Sequence, residues 1–226
     1  MKILVFSDTH LYLPFDQKKF NFLKKIISES DKVIINGDFF DSYMNTFDEF
    51  IKSPWNKLFP LLKSRNAVYI YGNHDQEQFT NKQMNLFSDI QTVNYQLTVN
   101  NILFHFEHGD KTRLSTDVMY RNISWSVKHF GMIFVHFARN LLVRTFRNFA
   151  ILTMFKPRNK ISKKMINKIY QPKENEIYII GHNHYGEIDL KNHFASTGAT
   201  LYGYSQYLII DSVSAKITLH EEWYDR

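Results

Sequence analysis

Five short clusters of His, Asp and Asn punctuate this chain: Asp8-Thr9-His10, Gly37-Asp38-Phe39-Phe40-Asp41, Gly72-Asn73-His74-Asp75, His108-Gly109-Asp110 and Gly181-His182-Asn183-His184. Asp8, His10, Asp38, Asn73, His108, His182 and His184 together offer carboxylate, imidazole and amide oxygen. Those are hard-to-borderline donors, suited to Mn²⁺ ahead of Fe or Zn²⁺. Seven donors exceed what one ordinary ion takes and suit two ions sharing a bridge. Two divalent ions about 3.5–4 Å apart can clamp a phosphoryl group and supply a deprotonated water, so the residue types point to phosphoester or phosphoanhydride hydrolysis.

Each cluster closes an apolar run, which sets the elements that must carry it. Lys2–Phe6, Val33–Ile35, Ala67–Tyr71, Ile102–Phe106 and Ile177–Ile180 read as strands, with the clusters just past their C-terminal ends, where α/β sheets bind ligands. Phe15–Ser30 carries Phe15, Phe20, Phe22, Leu23, Ile26 and Ile27 at helical spacing with lysines between, an amphipathic helix. Thr46–Arg65 is expected to be helical, with a new start at Ser53-Pro54 and a kink or boundary at Pro60. A third, weaker helix is expected near Gln76–Phe87. Thr92–Val99 and Ile102–Phe106 alternate across Asn100-Asn101, a hairpin signature. Further strands are expected near Phe194–Ser196, at Tyr207–Asp211 and at Lys216–His220. The β-α-β-α-β opening predicts parallel strands, and the whole predicts two packed sheets with helices outside.

At 226 residues the chain is one domain with an insertion. It has no cysteine, which excludes disulfides and thiolate metal sites. The N-terminal apolar run reaches Ser7-Asp8 too soon for a signal peptide, so it reads as the first strand of a cytosolic protein. The net charge of +6 is unevenly spread: residues 111–170 hold 13 of the 28 Lys+Arg against one acid, Asp117, and net +12, while the remainder nets −6. From Phe130 to Phe155 this stretch is mostly apolar, with a narrow polar stripe at His136, Asn140, Arg144 and Arg147/Asn148. Arginines within it argue against a bilayer-spanning helix. Residues 111–170 therefore read as a basic, apolar helical cap over the site, facing something anionic.

The five motifs, in this order from Asp8 to His184, resemble the full motif set of the calcineurin-like metallophosphoesterases. The resemblance implies a four-layer α/β/β/α sandwich of two mixed sheets and a dinuclear centre. One ion would be held by Asp8, His10, Asp38 and His184, the other by Asp38, Asn73, His108 and His182, with Asp38 bridging. His74 would stabilise the transition state or protonate the leaving oxygen, oriented by Asp75. Within the family the chain is most similar to the UDP-2,3-diacylglucosamine pyrophosphatases of lipid A synthesis. That likeness rests on His108-Gly109-Asp110, the stretch Thr116–Arg121, the cap, and Thr197-Gly198. Those enzymes carry Arg at the position of His74. An apolar groove in the cap would take acyl chains, and Arg113, Arg121, Arg139, Arg144 and Arg147 could meet a diphosphate.

That reading places the enzyme in the cytoplasm, peripheral on the inner membrane face through residues 111–170. A nuclease or nucleotide phosphodiesterase ranks below it, because the cap is apolar. A scaffold that keeps the fold and binds a membrane or a partner protein is the alternative of another class. His105, His129, His136, His193 and His220 lack motif spacing and read as core or surface residues. Asp41 reads as support for the site ahead of a helix cap, and Asp110 has the same two readings.

Overall fold

The computed structural model describes residues 1–112 and 125–225. Strand β1 (Lys2–Phe6), helix α1 (Gln17–Ser28), β2 (Lys32–Asn36), β3 (Val68–Ile70) and β4 (Ile90–Thr92) build the first half. Strands β1 to β4 run parallel in that order, and β10 (Thr200–Leu201), β11 (Tyr204–Asp211) and β12 (Ile217–Trp223) complete this seven-stranded sheet antiparallel at the β1 edge. The second sheet has the order β5 (Asn94–Val99), β6 (Ile102–Glu107), β7 (Glu176–Ile180), β9 (Phe194–Thr197) and β8 (Gly186–Asp189). β6, β7 and β9 are parallel, and β5 and β8 are antiparallel edges.

Alternation along the strands divides the core in two. Ile3, Val5, Ile34, Val68 and Ile70 point between the sheets to meet Phe104, Phe106, Ile177, Ile179 and Ala195. Leu4, Phe6, Val33, Ile35 and Tyr69 point outward beneath Phe20, Leu23, Ile26 and Ile27 of α1 and the short helices α2 (Phe47–Lys52) and α3 (Phe59–Ser64). On the opposite side α5 (Lys156–Ile169) lays Ile166 on Tyr178, Ile180 and Phe194, completing the α/β/β/α sandwich.

Most elements fall where the sequence placed them. Thr46–Arg65 breaks where its prolines predict: α2 ends at Ser53, a 3₁₀ turn spans Pro54–Leu58, and α3 carries Pro60 in its first turn. Asn100 and Asn101 take φ 45° and 64°, the left-handed pair that a tight hairpin requires. The helix expected near Gln76–Phe87 is instead two 3₁₀ turns, Glu77–Phe79 and Lys82–Leu86. Only Met84 of these residues is buried within them, so there is no apolar face to reward a longer helix, and the Asn81 side chain caps the second turn by accepting from Gln83 N. The strand expected at Thr92–Val99 is two strands, since β4 ends in one sheet at Thr92 and β5 starts the other at Asn94.

The 111–170 stretch also divides. Its last helix, α5, is the outer layer of the sandwich. Among the described residues of the stretch, only α4 (Trp125–Met154), broken at Arg147 where φ is 47° and ψ −129°, lies along the strand-end edge. It is anchored by Val143, Ala150 and Ile151, with Phe155 just beyond it, against Tyr185, Tyr202, Tyr204 and Trp223. Among the described residues no helix is long and apolar enough to cross a membrane.

Candidate metal centre and catalytic cleft

Because β1, β2 and β3 are parallel, and β6 and β7 are parallel, all five motif loops leave the sheets on one edge. Backbone hydrogen bonds then stitch the loops together. Asp8 N donates to Gly37 O at 3.0 Å, His10 N to Asp38 O at 2.9 Å, and Gly181 N to His108 O at 2.9 Å. The sheets are tied beside the site by Asn36 Nδ2, which donates to Ile179 O at 3.1 Å. Asp8, His10, Asp38, His182 and His184 all have φ between 41° and 60°. Left-handed backbone at non-glycine residues costs about 1–3 kcal/mol each and persists where the surroundings over-determine it, a pattern that gathers at functional sites. Two glycines make room. A Cβ on Gly37 would overlap the His108 ring, and one on Gly72 would overlap the Asp38 carboxylate.

Six of the seven donors converge into two groups, the largely buried Asp8/His10/His184 and the fully buried Asp38/His108/His182, each with ligand atoms within 4.8 Å of one another. Asp38 Oδ2 lies between them, 3.6 Å from His10 Nε2 and 3.3 Å from His108 Nε2. Its other oxygen accepts from His74 N at 2.8 Å, which fixes the carboxylate plane. Asp8 Oδ2 accepts from Ser7 Oγ and from His182 N, turning Oδ1 toward His184 Nε2 at 3.1 Å. Asn73 Oδ1 is 3.0 Å from His108 Nε2.

The donor chemistry fits divalent cations. His108 Nδ1 donates to Asn36 O at 3.0 Å, so Nε2 faces the oxygens of Asp38 and Asn73 with a lone pair unless a proton or a cation sits there. Burial opposes a charge on this ring, but Asp38 outweighs it and holds the His108 pKa well above the usual imidazole range. His10 Nε2 is buried with no hydrogen-bond partner among the described residues, and its nearest carboxylate oxygens lie 3.6 and 4.0 Å away. A ring nitrogen and carboxylates arranged around a shared space, too far apart to bond one another, suit an ion between them. Burial takes the His184 pKa down to about 3, which leaves a neutral imidazole able to coordinate.

The arrangement changes one sequence reading and sharpens another. The carboxylate at His74 Nδ1 is that of Asp41, at 3.1 Å. Asp75 instead accepts from Asp38 N at 3.1 Å, Phe39 N at 2.6 Å, Gly72 N at 2.7 Å and the Tyr69 hydroxyl, so it fixes the β2 and β3 loops. Asp41 is fully buried and also meets His10 Nδ1 at 3.3 Å; burial opposes its charge, but the surrounding imidazoles keep it ionised well below the usual carboxylate range. His136 is buried, as the core reading had it, and its burial is against the site: it brings Nε2 from α4 to 3.3 Å of Asp41 Oδ2. Burial lowers its pKa. The polar stripe of α4 was the available signal: it marks the face turned toward the site.

A cleft of about 770 Å³ opens from His10 between Tyr12–Lys19 and α4, lined by His129, Ile133, His136, Phe137, Asn140, Arg144 and Tyr202. Of the arginines singled out for a diphosphate, Arg144 lines this cleft, and Arg139 stands near enough to Tyr202 for its charge to oppose the rise that burial gives the phenol's pKa. Arg147 stacks on Trp223, 4.4 Å from the ring centre, and faces Asp225 at 4.0 Å. Arg113 and Arg121 lie outside the described residues.

A two-sheet sandwich that pools carboxylates and imidazoles at its strand ends is the build of phosphoesterases that work with divalent cations. The chain belongs to the calcineurin-like phosphoesterase family, whose model matches residues 1–186. Similar solved structures are found at low sequence identity. A Vps29 variant from Entamoeba histolytica is 12% identical with a TM-score of 0.50, covering 98% of this chain and 91% of that one. An archaeal phosphodiesterase is 16% identical with a TM-score of 0.49, covering 98% and 100%. The phosphoesterase Yfce from E. coli is 15% identical with a TM-score of 0.43, covering 99% and 100%. No curated protein matches the chain.

Proposed function

We propose that this protein is a divalent-metal phosphohydrolase of a lipid-linked nucleotide of the UDP-2,3-diacylglucosamine type, taking its substrate at the inner surface of a membrane. The observation that carries the substrate class is the continuity of one cleft. His10 lies within it, Asn140 and Arg144 line it, and Ile133 and Phe137 of its wall belong also to the exposed apolar face of α4. A diphosphate at the donor groups would place an acyl tail along Phe130, Phe134, Phe137 and Leu141, which are 58–71% exposed and recur at helical spacing.

Asp8, His10, Asp38 and His184 would hold one ion and Asp38, Asn73, His108 and His182 the other. When bound, such a pair polarises phosphoryl oxygens and brings the pKa of water toward neutrality. Mn²⁺ suits these donors, with Fe or Zn²⁺ next. Asp41 holds Nδ1 of His74 and leaves Nε2, on the opposite edge of the ring, to give a proton to the leaving oxygen. Water adds across the P–O–P bridge, releasing a nucleoside monophosphate and a lipid phosphate.

The test is hydrolysis by Mn²⁺-loaded protein of diacylated UDP-glucosamine, bis-p-nitrophenyl phosphate and single-stranded DNA side by side, with His108→Ala as control. UMP release that outpaces the other two and disappears in the variant supports the reading. Turnover of the simple diester or of DNA alone leaves a phosphodiesterase of another substrate. No turnover by protein with two bound ions favours a scaffold.

A further inference from the structure

The inward face of α4 reaches past the cleft wall to the groups behind the metal donors. His129, His136, Val143 and Ala150 recur every seven residues, about two helical turns, and share the side facing the sandwich. His129 Nδ1 donates to the Tyr43 carbonyl at 2.9 Å, and the Lys128 ammonium stands 5.6 Å from the centre of the Tyr43 ring. His136 meets Asp41 two residues before. The gripped segment is the one that orients the imidazoles: Asp41 faces His74 Nδ1 and His10 Nδ1, and the Tyr43 ring meets His74 edge-on at 4.7 Å. The cap helix thus holds, at three points, the loop that holds His74.

We propose that His136 is a positioning residue of the catalytic site, acting through Asp41 to fix the rings of His74 and His10, so that hydrolysis requires α4 to be seated. This inference rests on the phosphohydrolase reading above. The hydrogen bonds run one way. His136 Nε2–H is the donor to Asp41 Oδ2 at 3.3 Å, and Nδ1 then accepts from the Tyr202 hydroxyl at 3.0 Å. A carboxylate at the inner end can only accept, so it sets that direction. Asp41 Oδ1 already accepts from Tyr43 N at 3.0 Å as well as from His74, and Oδ2 is shared by His10 and His136. With every donor present, the buried carboxylate has one orientation, and it demands N–H at Nδ1 of both motif histidines. His10 then turns the lone pair of Nε2 toward Asp8 and Asp38, and His74 turns Nε2 away from Asp41. Without His136 the carboxylate loses one of the donors that fix its plane, and the two rings lose their common reference.

The test compares His136→Phe with His136→Gln, whose amide can donate to Asp41, in Mn²⁺-saturated full-length protein. Bis-p-nitrophenyl phosphate is the substrate, since it is too small to need the apolar face. Removing an outer hydrogen-bond partner of this kind reduces activity by about 10–100-fold. We expect His136→Phe to lower kcat within that range with KM changed less than about threefold, and His136→Gln to recover most of the loss. Imidazole ¹H–¹⁵N spectra of the metal-free proteins should show His74 and His10 signals displaced by His136→Phe and restored by His136→Gln. If His136→Phe does not fold, Tyr202→Phe removes the donor to Nδ1 and should lower kcat in the same sense. Wild-type kcat in His136→Phe, a rise in KM alone, or unchanged imidazole signals would overturn the proposal and leave His136 as a helix anchor. If wild-type protein does not hydrolyse the diester, the phosphohydrolase reading fails, and the spectra still decide whether His136 orients the two rings.

Discussion

Helices α1 and α4 wear their side chains in opposite order. In α1, Phe20, Phe22, Leu23, Ile26 and Ile27 are buried, and Lys18, Lys24 and Lys25 face water. In α4 the buried line among the described side chains begins with a histidine, His136, and Phe130, Phe134, Phe137, Leu141 and Phe149 are among the exposed residues. Burying a large aliphatic or aromatic side chain contributes about 1.5–3 kcal/mol, so α1 is held by its own apolar face. α4 forgoes most of that stabilisation. It is placed by Val143, Ala150 and Ile151 at one end and by polar contacts to Asp41 and Tyr43 at the other. A helix that stabilises a sandwich and a helix that serves a site are therefore distinguished by which residues each turns inward.

The largest effect that could break this contrast is in α1. Leu23→Ala removes a fully buried side chain and should lower unfolding free energy by about 2–5 kcal/mol in denaturant titrations, while the folded fraction keeps wild-type kcat. Substitution of Phe130, Phe134 and Phe137 together by Ser should do the reverse. Exposed positions change stability by only about 0.5 kcal/mol each. The triple variant should still melt as a cooperative unit and turn over bis-p-nitrophenyl phosphate normally. Its kcat/KM on the diacylated substrate should fall by at least tenfold, the size of effect expected from about 1.4 kcal/mol of lost apolar contact. A large loss of stability with unchanged lipid turnover would mean that this face packs on the protein itself.

The smallest effect concerns protons. Asp38 raises the folded pKa of His108, so below that pKa a proton occupies Nε2 and must leave when a cation binds. Mn²⁺ affinity should therefore rise with pH until the folded His108 pKa is passed and then level off. Titration calorimetry in buffers of differing ionisation enthalpy should register the released proton. The same raised pKa makes the His108–Asp38 contact stabilising to the metal-free protein at low pH, a contribution lost as pH rises through the folded value.

The strands and the site edge were legible in the sequence because both follow local rules. Apolar runs such as Val33–Ile35 ended in Gly-Asp or Gly-Asn, and Asn100-Asn101 marked its own hairpin. The seven donors could be grouped because each stood at a strand end. What the sequence hid depends on contacts between distant segments. Gly186–Asp189 and Thr200–Leu201 form strands only because β9 and β11 lie beside them. Asp41 and Asp75 are equally acidic and equally close to a motif, and only the folded loops decide which carboxylate reaches His74. His136 lies 95 residues from Asp41, and no spacing rule joins them. The polar stripe on α4 did mark the face that lines the cleft, although a polar stripe on a helix ordinarily faces water.

The central claim is that Asp38 stands between two divalent ions. Anomalous scattering from a crystal grown with Mn²⁺ would test it directly. The account predicts two peaks flanking Asp38 Oδ2, about 3.5–4 Å apart, one beside His10 and His184 and the other beside His108 and His182. A single peak, or peaks away from Asp38, would contradict it.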